Sequence, residues 1–145
     1  MTWGNGSSGV TGAVSASNSL VGSTANDLVG NNGVYALSNG NYVVNSAYWN
    51  NGAATDAGAV TWSNGSSGTT GAVSASNSLV GSTASDLVGS HGVTALSNGN
   101  YVVRSVNWNN GAATRAGAAT WGNGSSGTTG TVSASNSLVG STASD

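Results

Sequence analysis

Side chains able to do acid-base, nucleophilic or metal chemistry are scarce in this sequence. There is one histidine, His91; four carboxylates, all aspartate (Asp27, Asp56, Asp86 and Asp145); two cations, Arg104 and Arg115; and no cysteine. A serine nucleophile needs a histidine base and a carboxylate that orients it. Asp86 lies close to His91, but the same aspartate recurs at Asp27 and Asp145 without a histidine, and Asn32 stands in the place of His91. The repeated aspartate therefore reads as a turn former whose carboxylate accepts backbone N–H groups where one unit crosses to the next. A lone imidazole builds no metal site, and without cysteine no thiolate site exists. His91 reads as a solvated loop residue. The sequence offers neither catalytic residues nor a metal or cofactor site, and the expectation is a protein that is not an enzyme.

Gly4–Gly9 and Gly122–Gly127 both spell GNGSSG, a literal G-x-G-x-x-G. A phosphate-binding loop of that form needs a strand before it and a helix N-terminus after it. Here a further strand-like segment follows, and the middle copy starts with Ser63, so the motif reads as a hairpin turn. Trp49 and Trp108 sit in otherwise polar segments, YWNNG and NWNNG. Such a tryptophan is either a lid packed over sheet edges or a platform on which a sugar or peptide stacks beside asparagine donors and acceptors. Trp3, Trp62 and Trp121 read as core.

These residues recur. Trp3, Trp62 and Trp121 are 59 apart, as are Tyr42 and Tyr101, and Asp27, Asp86 and Asp145. Laying Thr2–Val60 over Thr61–Ala119 leaves 11 mismatches, hence 59 − 11 = 48 identities. The chain divides into a partial repeat, 1–30, and two complete ones, 31–89 and 90–145. Most mismatches flank or occupy the first two strands of a unit and the loop after them: Asn31/Ser90, Asn32/His91, Tyr35/Thr94, Asn45/Arg104, Ala47/Val106, Tyr48/Asn107 and Asp56/Arg115. If those strands share a rim, the differences gather on one end, where loops carry binding function; drift at tolerant exposed positions is the alternative. The candidate ligand-binding residues are accordingly Asn45, Tyr48, Trp49, Asp56, Arg104, Asn107, Trp108 and Arg115.

The elements that must position them are strands. No window carries apolar residues at helical spacing, and glycine recurs inside every candidate segment. Each unit reads as four short strands, in the last copy GVTAL (92–96), YVVRS (101–105), AGAAT with Trp121 (116 onward) and TVSASNSLVG (131–140). Asn39-Gly40 and Asn98-Gly99 join the first two strands, and Asn5-Gly6, Asn64-Gly65 and Asn123-Gly124 open the turn after the third, with both residues of each pair expected at positive φ. In the fourth strand Val73, Ala75, Asn77 and Leu79 alternate with Ser74, Ser76, Ser78 and Val80, so both faces are expected against protein. Four-stranded antiparallel blades packed between neighbours satisfy that pattern, which makes an all-β propeller the expected fold; a β-solenoid, whose coils repeat at shorter intervals, is the rival.

The stretch from Asn77 to Trp121 resembles the FG-GAP repeat of integrin-α-like β-propellers. GVTAL, SNGN, NYVVRS, NWNNGAATR and AGAATW follow one another in the order of that repeat, and GVYAL to AGAVTW does so again. The resemblance implies an adhesion-type propeller from a larger secreted or surface-displayed bacterial protein. Members of that family often bind calcium in an aspartate-rich loop between the first two strands. Here that loop is Ser38-Asn39-Gly40-Asn41 or Ser97-Asn98-Gly99-Asn100, short and without a carboxylate, so the fold carries over and the calcium does not.

Composition closes off further classes. Charged residues make up 4%, against about a quarter in ordinary domains, and the formal net charge is −2. No basic stripe exists to meet nucleic acid or an acidic membrane surface. No run approaches the roughly 18 apolar residues of a membrane span, and Met1 leads straight into repeat sequence, as in a piece excised or engineered from something longer. Two blades leave two uncovered faces, whereas propellers close with roughly four to eight. Three or four copies of the chain are expected to join into a ring. The functional expectation is a structural and adhesive repeat module, with lectin-like glycan or cell-surface binding through Trp49 and Trp108, or an ice-binding Thr/Ser/Asn surface, as alternatives.

Overall fold

A computed structural model describes all 145 residues. It holds no helix, only eleven short strands: β1 (Leu20–Val21), β2 (Val34–Ala36), β3 (Tyr42–Ser46), β4 (Ala59–Ser63), β5 (Gly71–Ala72), β6 (Leu79–Val80), β7 (Val93–Ala95), β8 (Tyr101–Ser105), β9 (Ala118–Gly122), β10 (Gly130–Thr131) and β11 (Leu138–Val139). They form three sheets: a five-stranded one, β2-β3-β4-β6-β10, antiparallel except for the parallel β6-β10 pair; a four-stranded antiparallel one, β7-β8-β9-β11; and the parallel pair β1-β5. Tyr42 pairs with Ser63 and Tyr101 with Gly122. The β-branched Val-Val pairs of β3 and β8 suit these central strands. The chain is thus all-β, with several sheets and none of them closed.

The first three strands of each unit fall where the sequence places them, but the fourth does not form as a single strand. Its first half, β5 or β10, leaves its own sheet and pairs in parallel with the fourth strand of the preceding unit, β1 or β6. Its second half, β6 or β11, returns to pair antiparallel with β4 or β9. The serine-rich middle is a turn. Asn77 accepts the Ser74 N–H at 2.9 Å on Oδ1 and donates from Nδ2 to the Ala72 carbonyl at 2.9 Å. Alternation along that segment therefore does not define two faces, because side chain–backbone bonding to Asn77 breaks the extended conformation.

The Asn-Gly expectation is also corrected. Between β2 and β3 only Gly40 has positive φ, at 87°. The Leu37 N–H reaches the Asn41 carbonyl at 2.8 Å, and that of Gly40 reaches Leu37 at 3.1 Å. This is a three-residue hairpin loop ending in a left-handed glycine. In the turn after β4 neither Asn64 nor Gly65 is left-handed; Gly68 is, at 71°. Gly65 is required for another reason: a Cβ there would collide with the Gly40 carbonyl oxygen of the adjoining hairpin.

Successive units stack. The core falls into two clusters, one around Leu20, Val44, Trp49, Ala59, Val73 and Val80, the other around Val43, Val60, Leu79, Tyr101, Val103 and Trp108. Inner strands β3 and β4 are buried on both faces, with Val43, Val44, Val60 and Thr61 all inaccessible. In the last sheet the equivalents of one face remain buried, Val103 and Thr120, while on the other Arg104, Ala119 and Trp121 are exposed. Presence or absence of a neighbouring unit accounts for the difference.

Candidate functional site

The repeated aspartates organise the best-built polar site. Gly22 and Gly81 lead into turns with sequence STAND and STASD, in which Asn26 and Ser85 are left-handed at 65° and 61°, and Leu28 and Leu87 at 44° and 48°. A leucine in that region is a strained backbone, and the aspartate between the two left-handed residues holds it. Asp27 Oδ2 accepts the N–H groups of Ser23 at 2.7 Å and Thr24 at 2.9 Å, and Oδ1 accepts the Thr24 hydroxyl at 2.6 Å. Oδ1 also takes the Asn50 N–H at 3.1 Å and its Nδ2 at 2.9 Å. Asp86 repeats the backbone and asparagine bonds with Ser82, Thr83 and Asn109, without a bond from the threonine hydroxyl. Burial pushes the Asp27 carboxyl up, yet hydrogen bonds from the Thr24 hydroxyl and from the Thr24, Asn50 and Ser23 amides outweigh it and leave the group below its ordinary value.

Asn50 and Asn109 belong to the loops after β3 and β8, so each carboxylate ties the turn of one unit to the loop of the next. Between turn and loop opens a cleft, once per unit. The first, about 520 Å³, is lined by Thr24, Ala25, Asn26, Asn50, Gly52, Thr55 and Asp56. The second, about 370 Å³, is lined by the equivalent Thr83, Ala84, Ser85, Asn109, Gly111, Thr114 and Arg115, together with Leu87 and Asn107. The lining residues are mostly threonine, serine, asparagine and small residues, with one acid in the first cleft and one base in the second, and the surface that the second presents is mainly apolar. Such walls can hydrogen-bond a polar ligand.

The candidate residues part company here. Asn107, half-buried, and Arg115, exposed, meet in the second cleft, and Asp56 lies in the first. Asp56 and Arg115 are left-handed at 52° and 53°, each donating its N–H to Asn50 or Asn109 Oδ1 at 3.0 Å. Tyr48 is exposed near the same loop. Arg104 stands on β8, on the open face of the last sheet. Asn45 is fully buried, donating to the Gly89 carbonyl at 2.8 Å, with Oδ1 unpaired. Trp49 and Trp108 are buried in the two core clusters, their indole N–H groups without partners. Neither offers the open ring face that a stacking platform needs. The core expectation for the other three is corrected: Trp3 and Trp62 are half-buried and Trp121 is 53% exposed, because no further unit packs over it. Among the varied positions, Asn45 and Ala47 are buried whereas Tyr48, His91, Arg104, Val106 and Arg115 are exposed, and several adjoin one another: the Asn32 N–H reaches the Asn45 carbonyl at 3.1 Å and the Asn107 amide the Ser90 hydroxyl at 3.2 Å.

His91 is exposed, its Nδ1 3.5 Å from the Ser90 hydroxyl. No group of three His, Cys, Asp or Glu side chains could hold a metal ion. The GNGSSG segments are turns: Gly127 N–H reaches the Asn123 carbonyl at 2.8 Å, and Ser125 N–H the Asn123 Oδ1 at 2.8 Å. Burial pushes the Tyr101 phenol up to about 12, although Thr128 pulls the other way, so this tyrosine stays neutral in the core. The Ser/Thr walls of the clefts escaped the sequence reading. Their signal is the recurrence of STA at 23–25, 82–84 and 141–143, which by itself reads as turn composition.

One family model matches the chain in three successive stretches, residues 1–31, 36–90 and 95–145. The chain belongs to that family, described as a repeat of unknown function (DUF5650). Each cleft straddles two successive matches, with its turn and repeated aspartate in one and its loop in the next. Comparison with curated proteins and with solved structures finds no match.

Proposed function

We propose that the chain is a non-catalytic structural and adhesive repeat module, in which each set of four antiparallel strands is the blade of a β-propeller and several copies complete the ring. The observation that carries this reading is the change in burial along equivalent strands. Where another unit stacks, the inner strands β3 and β4 are buried on both faces; where none does, Arg104, Ala119 and Trp121 lie open. Small residues and a meander of short strands support blades rather than coils. A ring of three or four chains supplies six or eight complete blades, and an extracellular or cell-surface setting follows from the resemblance to adhesion-type propellers. Light scattering tests the reading: a mass three or four times the 13.9 kDa of one chain is expected, and a stable folded monomer at high micromolar concentration overturns it.

Glycan binding is a second reading, now favoured by the paired clefts rather than by the buried indoles. Their threonine and asparagine groups, set beside apolar surface, suit a neutral sugar. Binding on a glycan array that is lost in Asn107→Ala with Arg115→Ala supports it, and an array without any hit removes it.

A further inference from the structure

Two junctions between units are built from the same atoms. In the first, the Gly71 and Val73 N–H groups donate to the Ser19 and Val21 carbonyls, both at 3.0 Å, and Trp3 Nε1 donates to the Gly65 carbonyl at 3.0 Å. In the second, Gly130 and Val132 donate to Ser78 and Val80, both at 3.0 Å, and Trp62 Nε1 to Gly124 at 2.9 Å. Both junctions bury a valine of the inserted strand, Val73 at 3% exposure and Val132 at 2%, and a leucine of the receiving strand, Leu20 and Leu79 at 1% each.

Each half of this junction also occurs alone. The segment Gly12–Val14 has the sequence GAV of Gly71–Val73, yet is unpaired, and Val14 is 67% exposed. At the other end β11 has a partner on one side only; Leu138 is 81% exposed and Trp121 53%. A Cβ at Gly9 meets nothing, whereas the equivalent Gly68 and Gly127 lie against Trp3 and Trp62.

We infer that Gly12–Val14 of one copy inserts in parallel beside β11 of a second copy, with Gly12 opposite Leu138 and Ala13 opposite Val139, and with Trp121 Nε1 donating to the Gly6 carbonyl. This rests on the self-assembly reading above and specifies its contact. The occupant is a second copy because the two surfaces are the two halves of an interface this chain already makes twice within itself. The contact is head-to-tail, so it propagates until the rotation closes a ring. It lacks the contacts that β2 and β3 add inside the chain, such as Ser38 Oγ to the Ser97 carbonyl at 3.2 Å, and is correspondingly weaker than the internal junctions.

The test compares sedimentation of the chain, Val14→Asp, Leu138→Asp, and an equimolar mixture of the two variants. Both substitutions fall on exposed side chains of the separate chain, and a charge buried in the junction is strongly disfavoured. The expected result is assembly of the unaltered chain, self-association weakened by more than about tenfold in either variant, and dimers that grow no further in the mixture, since each variant keeps the half that the other has lost. Variants that assemble like the parent, or a mixture that stays monomeric, overturn this junction while leaving self-assembly standing. A parent chain that is itself monomeric removes both. Amide exchange at Val14 in the unaltered chain gives an independent measure: protection that rises with concentration is expected, and free exchange in the assembled state refutes the pairing.

Discussion

Asp27 shows how much one carboxylate does in a chain with so few charges. Its carboxyl titrates below the ordinary value of 3.8 because the folded state supplies donors that the unfolded chain lacks. Stability from this group is therefore complete above that ordinary value and is lost as pH falls through the lower folded one. Unfolding midpoints should drop below about pH 4, and Asp27→Asn should flatten that acid limb; an unchanged limb would count against the account. Asp86→Ala strips four hydrogen bonds from the buried junction and should cost about 3 kcal/mol in chemical denaturation. Gly65→Ala sets a Cβ against the Gly40 carbonyl, while Gly6→Ala, at the same place in the partial repeat, meets nothing. The first should destabilise by about 2 kcal/mol and the second by much less, a contrast that a pair of urea titrations decides.

At the scale of elements, the interrupted fourth strand is the device that joins units. Its two halves serve different sheets, and Asn77 with its three bonds to Ser74, Ala72 and Ser78 sets the bend between them. Asn77→Ala should lose about 2 kcal/mol and speed amide exchange at Val73 and Val80, whose strands flank the turn. The first three strands were legible because valine-rich runs lie between glycine-marked turns. The fourth was not: SASNS alternates like a strand, and only asparagine bonding to its own backbone turns it. In the clefts, the aspartate's role as turn former was readable from its recurrence, but its partner Asn50 lies 23 residues away, and no local pattern links the two.

For the whole molecule, stability is a matter of neighbours. Leu79 and Leu138 occupy the same place in the repeat, one enclosed and one bare. Leu79→Ala should cost about 2–5 kcal/mol through the cavity it leaves, and Leu138→Ala almost nothing in dilute solution, a difference that thermal melts of the two variants measure directly. Equal effects would mean that the stacking of units does not bury these positions as described.

The sequence alone determined the 59-residue period, the all-β class, three strands of each unit and the paucity of reactive groups, since each follows from local residue type and spacing. Only the tertiary structure decided that Trp49, Trp108 and Asn45 are interior, that the fourth strand crosses between sheets, and that each cleft joins two units. Burial depends on what stacks against a strand, and near-identical repeats carry the same residues whether covered or bare.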